Sequence, residues 1–207
     1  ITGWSPKSRS NMVARFLSLD YEPLFGDKTR TPAMVTLTYP KDWESVVPDG
    51  QTFKRHVQAL LKRFEAAYGE RLAGLWKMEF QRRGAPHLHI LTSLKSDLPG
   101  FREWFSYNWA DVVNHPNPTE RIKHEAAGTR IDEWKDLETF KAYLIAVYFS
   151  KHSSPSTSSV KNYQNKAPEL WVEAGNIGRF WGYWGLSPAV AKAQISEKDA
   201  IYIKRIL

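Results

Sequence analysis

Glu79, His87 and His89 are the residues whose types and spacing suggest chemistry. The stretch that holds them, Glu79-Phe80-Gln81-Arg82-Arg83-Gly84-Ala85-Pro86-His87-Leu88-His89, reads as two short strands joined by a tight turn. Gly84 supplies there a backbone conformation that a Cβ resists. His87 and His89 alternate around Leu88, so on a strand both imidazoles face one side and Leu88 the other. A three-residue turn over 82–84 sets Glu79 opposite His87 on that side. Two imidazoles and a carboxylate then approach a divalent ion from one side and leave the other for substrate oxygens. That is an open, catalytic set of donors rather than a closed structural one. A His-x-His pair alone is also an ordinary strand pattern; the Glu at hairpin spacing makes metal binding the expectation.

The second stretch is residues 137–151. Leu137, Phe140, Leu144, Tyr148 and Lys151 fall on one stripe at about 100° per residue, which predicts a helix laid on a sheet. Its stripe ends in a Tyr and a Lys one turn apart. Such a Tyr serves equally well as a core residue whose hydroxyl bonds a backbone group. Tyr143 lies five residues before Tyr148 and points about 140° away around the helix.

Taken together, these stretches resemble the HUH endonucleases, nucleases with a His-hydrophobic-His motif, here His87-Leu88-His89. The resemblance is to rolling-circle replication initiators (Rep proteins) of small plasmids, filamentous phages and circular single-stranded DNA viruses. Glu79 stands eight residues before His87 with Gly84 and Pro86 between, and Tyr148-Phe149-Ser150-Lys151 matches Tyr-x-x-Lys. The strand at 34–39 resembles the first Rep motif. Segments 163–168 and 178–182 resemble the region after the tyrosine helix in plasmid and phage initiators.

The resemblance implies an α+β fold: an antiparallel sheet of about five strands with helices on one face, ferredoxin-like. It implies that Tyr148 is the nucleophile, giving a 5′-phosphotyrosine adduct and a free 3′-hydroxyl, with Lys151 stabilising the phenolate or holding the phosphate. Glu79, His87 and His89 would hold Mn²⁺ or Mg²⁺. Leu144 occupies the place where some relatives carry a second Tyr, so a single-tyrosine enzyme is expected. Lys7, Arg9, Arg82, Arg83 and Arg179 are the expected DNA contacts; Trp181 and Trp184 offer faces for base stacking or for core packing.

The rest of the chain is compatible with this. Its 207 residues, 42% hydrophobic with nine Trp, can build a substantial core. The +7 charge suits a polyanionic partner. The absence of Cys excludes disulfides and Cys-ligated zinc. No run of about 18 apolar residues predicts a membrane span, and residues 1–15 lack the apolar core of a signal peptide.

One domain over 1–207 is expected: a basic lead-in at 1–31, a catalytic core at about 33–185 and an extension at 186–207. Ile1 is not a natural start, so the chain reads as part of a longer one. Strands are predicted at 34–39, 72–79 and 86–91, helices at 53–68 and after residue 100, and a polar loop at 153–159. His115 and His124 have no partner at ligand spacing and are read as bystanders. The expected partner is single-stranded or hairpin origin DNA, with a host helicase or polymerase beside it and no membrane. The expected place is the bacterial cytoplasm, or the host nucleus for a eukaryotic virus. A single-tyrosine transposase or a relaxase would share the chemistry; a non-catalytic nucleic-acid-binding module would share only the shape.

Overall fold

The computed structural model describes residues 5–95, 100–133 and 166–190, together with Gly3. Tyr148 and Lys151, the helix expected at 137–151 and the loop at 153–159 lie outside the described residues.

Five strands form one antiparallel sheet: β1 (Arg30–Leu37), β2 (Gly74–Phe80), β3 (Pro86–Lys95), β4 (Thr129–Glu133) and β5 (Trp181–Trp184), in the order β4-β1-β3-β2-β5. The α+β architecture expected from the sequence is the one observed. Around the sheet lie α1 (Pro6–Leu17), α2 (Glu22–Phe25), α3 (Gly50–Tyr68), α4 (Phe101–Val113), α5 (Pro118–Ala127) and α6 (Glu169–Ala174).

Local chemistry sets most of these boundaries. The helix α3 starts where the Asp49 carboxylate accepts a hydrogen bond from the Thr52 N–H (2.6 Å) and stops at Gly69, whose φ of +68° favours glycine. Its buried stripe is Phe53, Val57, Leu60 and Phe64, the predicted apolar face. The helix α1 begins at Pro6, well before its buried Met12 and Phe16, because Ser5 caps it and proline fits the first turn. Strand β1 also begins earlier, running through Pro32. Pairing with β4 starts only at Ala33, so Pro32 lies beyond the reach of that neighbour.

Alternation gives the sheet two faces. One carries Ala33, Val35, Leu37, Met78, Phe80, Leu88, Ile90 and Ile131, all buried. Phe80 packs edge-on against Trp171 of α6, which meets Phe53 of α3; Phe64 of α3 in turn meets Phe101 and Phe105 of α4.

Helices on one face were expected, and here the structure adds a layer. Phe16 of α1 stands edge-on to Trp181 (5.5 Å), and the Trp181 indole donates to Ser8 Oγ (3.1 Å). Trp181 pairs with Lys77 across β5 and β2, so α1 covers the opposite face. The cause is composition. That face carries the row Leu75, Leu91 and Met34, fully or nearly buried, and apolar surface of this kind needs a cover. Met12 and Phe16, both 0% exposed, belong to the same core. The basic lead-in is therefore part of the fold.

A buried corner forms where β1 ends. Tyr39 Oη lies 3.1 Å from His56 Nδ1, Trp109 donates to the Thr38 carbonyl (2.6 Å), and His124 Nε2 donates to the same carbonyl (2.7 Å). His115 Nε2 meets the Asp42 carboxylate at 2.8 Å. His115 Nδ1 accepts from the Asn117 N–H (3.0 Å), so both bystander histidines hold the backbone.

Burial, then the charges of Arg55 and His124, pushes His56 down to about 4 from its ordinary 6.5. Between those values the unfolded chain takes up a proton that the folded chain refuses. The stability is whole above pH 6.5 and declines as the pH falls toward 4. Thermal melts at pH 7, 5.5 and 4.5 are expected to fall less steeply for His56→Gln than for the wild type. Equal slopes would remove His56 from the cause.

Candidate functional site

The turn at 82–84 has the geometry its sequence implies. Gln81 N–H bonds the Ala85 carbonyl (2.9 Å), Gly84 N–H bonds the Gln81 carbonyl (2.8 Å), and Gly84 has φ +84°. This closure fixes the register of β2 and β3, with Glu79 directly across from His87 and Lys77 across from His89. Glu79, His87 and His89 therefore share one face, as their spacing requires. The row through His89 continues to Thr36 on β1 and to Trp181 on β5.

The contacts within the cluster are specific. His87 and His89 are edge to face with centroids 4.5 Å apart. His89 Nε2 lies 3.6 Å from one Glu79 oxygen, and its Nδ1 is 3.2 Å from Thr36 Oγ1. The other Glu79 oxygen is ion-paired with Lys77 Nζ, and both side chains are largely buried, at 5% and 15% exposure. Arg83 Nε donates to Gln81 Oε1 (2.8 Å), so the amide's nitrogen turns to His87 Nδ1 (3.1 Å) and orients that ring.

Burial alone would raise the Glu79 carboxyl. The His89 imidazole beside it and the Lys77 ammonium outweigh it and hold the group far below the usual carboxylate range. Burial, then the charge of His89, pushes His87 down to about 4. At neutral pH the pair is thus a carboxylate and a neutral imidazole, the protonation states that a metal ion takes.

Whether an ion fits can be judged from this geometry. The donor types, their ionisation and their common face suit a divalent ion. Yet among the described residues no three His, Asp or Glu side chains gather around one point as an ion requires. Glu79 is turned to Lys77, and His87 is tied to Gln81. The donors are present and self-paired.

The basic residues separate. Arg82 is exposed at the hairpin tip and Arg179 is exposed just before β5. Lys7 is exposed and Arg9 half-buried on the first turns of α1, flanking the Ser8 that bonds Trp181. Arg83, also exposed at the hairpin tip, is held by the fold as well. Its guanidinium bonds the carbonyls of Tyr39, Pro40 and Lys41 as well as Gln81. Four of its five donors take part in these bonds, so it anchors the hairpin to the end of β1. Trp181 and Trp184 pack as well, the latter stacked on Trp76 at 5.7 Å.

Lys77, Gln81 and Thr36 were not singled out from the sequence. Strand alternation carried a signal for Lys77, two residues before Glu79 and so on its face.

A five-stranded antiparallel sheet bearing a carboxylate and a His-Leu-His pair on one face thus defines an α+β protein with a partly buried ionisable site. The chain belongs to the ORF2-type family of replication-associated proteins, whose family model matches residues 32–153. That match spans Glu79, His87, His89, Tyr148 and Lys151, in keeping with the resemblance to rolling-circle initiators. The chain is similar to the replication-associated protein of Pseudomonas phage Pf3, 26% identical over 210 residues, covering 100% of this chain and 67% of the relative. It is also similar to a putative replication protein of Xylella fastidiosa (strain 9a5c), 26% identical over 198 residues, covering 92% of this chain and 60% of the relative. The chain therefore spans about two thirds of the length of these relatives. No solved structure matches it. Among the described residues, no helix is long and apolar enough to cross a membrane.

Proposed function

We propose that this protein nicks and rejoins single-stranded DNA, or DNA extruded as a hairpin at a replication origin, and so starts rolling-circle replication. The observation that carries the reading is the pairing of Glu79 with His87, with His89 on the same face, in a chain of a replication-associated family. A divalent ion, Mn²⁺ or Mg²⁺, held by Glu79, His87 and His89, would supply charge neutralisation at the scissile phosphate. Gln81 and Thr36 orient the two imidazoles, and Arg83 anchors the hairpin that carries Glu79 and His87.

Tyr148 is the nucleophile in this reading. Its phenolic oxygen forms a bond to phosphorus as the bond to the 3′ oxygen breaks, leaving a 5′-phosphotyrosine and a 3′-hydroxyl that a host polymerase can extend. A phenol with pKa near 10 needs help at neutral pH, and Lys151, three residues on in sequence, favours the phenolate. The adduct keeps the phosphodiester energy, so a later 3′-hydroxyl reverses the step and joins ends. Lys7, Arg9, Arg82 and Arg179 contact the DNA backbone. The test is incubation with a pool of single-stranded oligonucleotides and Mn²⁺, followed by sequencing of whatever becomes covalently attached.

Binding itself follows from the +7 charge. Affinity is expected to favour single strands or hairpins with unpaired flanks, and to fall steeply with salt as phosphate contacts release counterions. Fluorescence anisotropy from 50 to 200 mM salt, roughly the range over which such contacts are lost, measures it. An affinity flat over that range contradicts the charge argument.

A further inference from the structure

A lysine nearly out of contact with water stands inside the candidate site. Lys77 is 4% exposed, its ammonium is ion-paired with Glu79, and its place in the sheet is directly opposite His89. Alternation along β2 puts Leu75, Lys77 and Glu79 on one face. Leu75 is fully buried, so Lys77 stands where the apolar half of that face gives way to the ionisable half. A buried ammonium and a buried carboxylate are each costly alone and hold one another firmly. The same carboxylate is the only acidic donor of the metal set proposed above.

We propose that Lys77 is a built-in competitor of the metal ion for Glu79, so that the site binds a divalent cation weakly until the ion displaces the ammonium from the carboxylate. This rests on the reading that Glu79, His87 and His89 hold an ion. The self-paired arrangement then follows from charge: one carboxylate serves either a lysine bound to its own strand or a soluble dication. Being two residues away on the same strand, Lys77 competes at high effective concentration without leaving the site. Metal occupancy is therefore set by the level of free divalent ion and by whatever phosphate oxygens the substrate adds, rather than by the three side chains alone.

The experiment is Mn²⁺ binding to the 207-residue chain without DNA, read by the electron paramagnetic resonance signal of free Mn²⁺ and by calorimetry. Lys77→Met is expected to tighten Mn²⁺ binding on the order of tenfold, the size seen when a neighbour of a metal ligand changes. Lys77→Gln, which can still donate a hydrogen bond to Glu79, is expected to tighten it less and guards against misfolding of the Met variant; circular dichroism checks both. In a Glu79→Gln background the Lys77→Met change is expected to have no effect, because there is no carboxylate left to contest.

Unchanged or weaker binding by folded Lys77→Met and Lys77→Gln overturns the proposal, and so does a gain that persists in the Glu79→Gln background. Wild-type binding that is lost in His87→Ala and His89→Ala, yet indifferent to Lys77, defeats this inference and spares the metal site. A wild type that binds no Mn²⁺, or binds it equally without the histidines, defeats both.

Discussion

His87→Ala and His89→Ala are each expected to reduce strand cleavage to background while the protein stays folded and keeps much of its DNA affinity. Both rings stand on the sheet face partly open to solvent, His89 with 21% of its side chain exposed. Removing either one opens no cavity of the kind that costs several kcal/mol in a core. The loss is that of an imidazole donor. Excess EDTA acting on the wild type is expected to give the same result. Gel assays of oligonucleotide cleavage in Mn²⁺, with dichroism as the folding control, decide it. Full activity in both variants, or of the wild type in EDTA, ends the metal mechanism.

Glu79 needs a different substitution. Glu79→Ala would strip Lys77 of this carboxylate in a nearly dry place, which costs on the order of 3 kcal/mol when a buried pair is broken. Glu79→Gln keeps the shape and is the variant to measure; residual activity is expected, since water and substrate oxygens can complete the coordination of an ion.

Tyr148→Phe is expected to eliminate the covalent protein–DNA species, while Tyr143→Phe and Tyr163→Phe retain it. The argument is helical geometry. At about 100° per residue the sequence predicts Tyr148 on one stripe with Leu137, Phe140, Leu144 and Lys151, and Tyr143, five residues before Tyr148, about 140° away from Tyr148. Tyr163 lies in a Pro-bounded segment after the polar run at 153–159. Removing one hydroxyl costs little stability, so a folded and inert variant is expected. Peptide mapping of the trapped adduct reads out the residue directly. A nucleotide on Tyr143 or Tyr163 overturns the helix assignment and leaves the chemistry; no adduct on any tyrosine, with a cognate origin and Mn²⁺ present, overturns the enzyme.

Much of the site was legible because its logic is local. The interval from Glu79 to His87, a glycine placed for positive φ, and the period of two in a strand suffice to put Glu79 across from His87 and His89 beside them. The stripe of α3 and its stop at Gly69 were legible for the same reason. Less visible were α5 and β4. Thr129-Arg130-Ile131-Asp132-Glu133 holds one buried apolar residue, Ile131, and forms an edge strand whose outward positions carry charge. β5 was obscured by Gly182, which is there because a Cβ would fall 2.7 Å from the Trp76 indole nitrogen.

Three features belong to the tertiary structure alone. Arg83 was legible as a cation at a hairpin tip, but its bonds to the carbonyls of residues 39–41, more than forty positions away in sequence, were not. The lead-in helix α1 read as a basic lead-in and proved to pack Phe16 and Ser8 against Trp181 on the sheet face that carries Leu75, Leu91 and Met34. Lys77 could be placed beside Glu79 by counting, but only burial makes the two an ion pair rather than two solvated charges. Periodicity along the chain records which way a side chain points. Which distant group it meets, and whether water is there to screen the meeting, is decided when the sheet and its two covers close together.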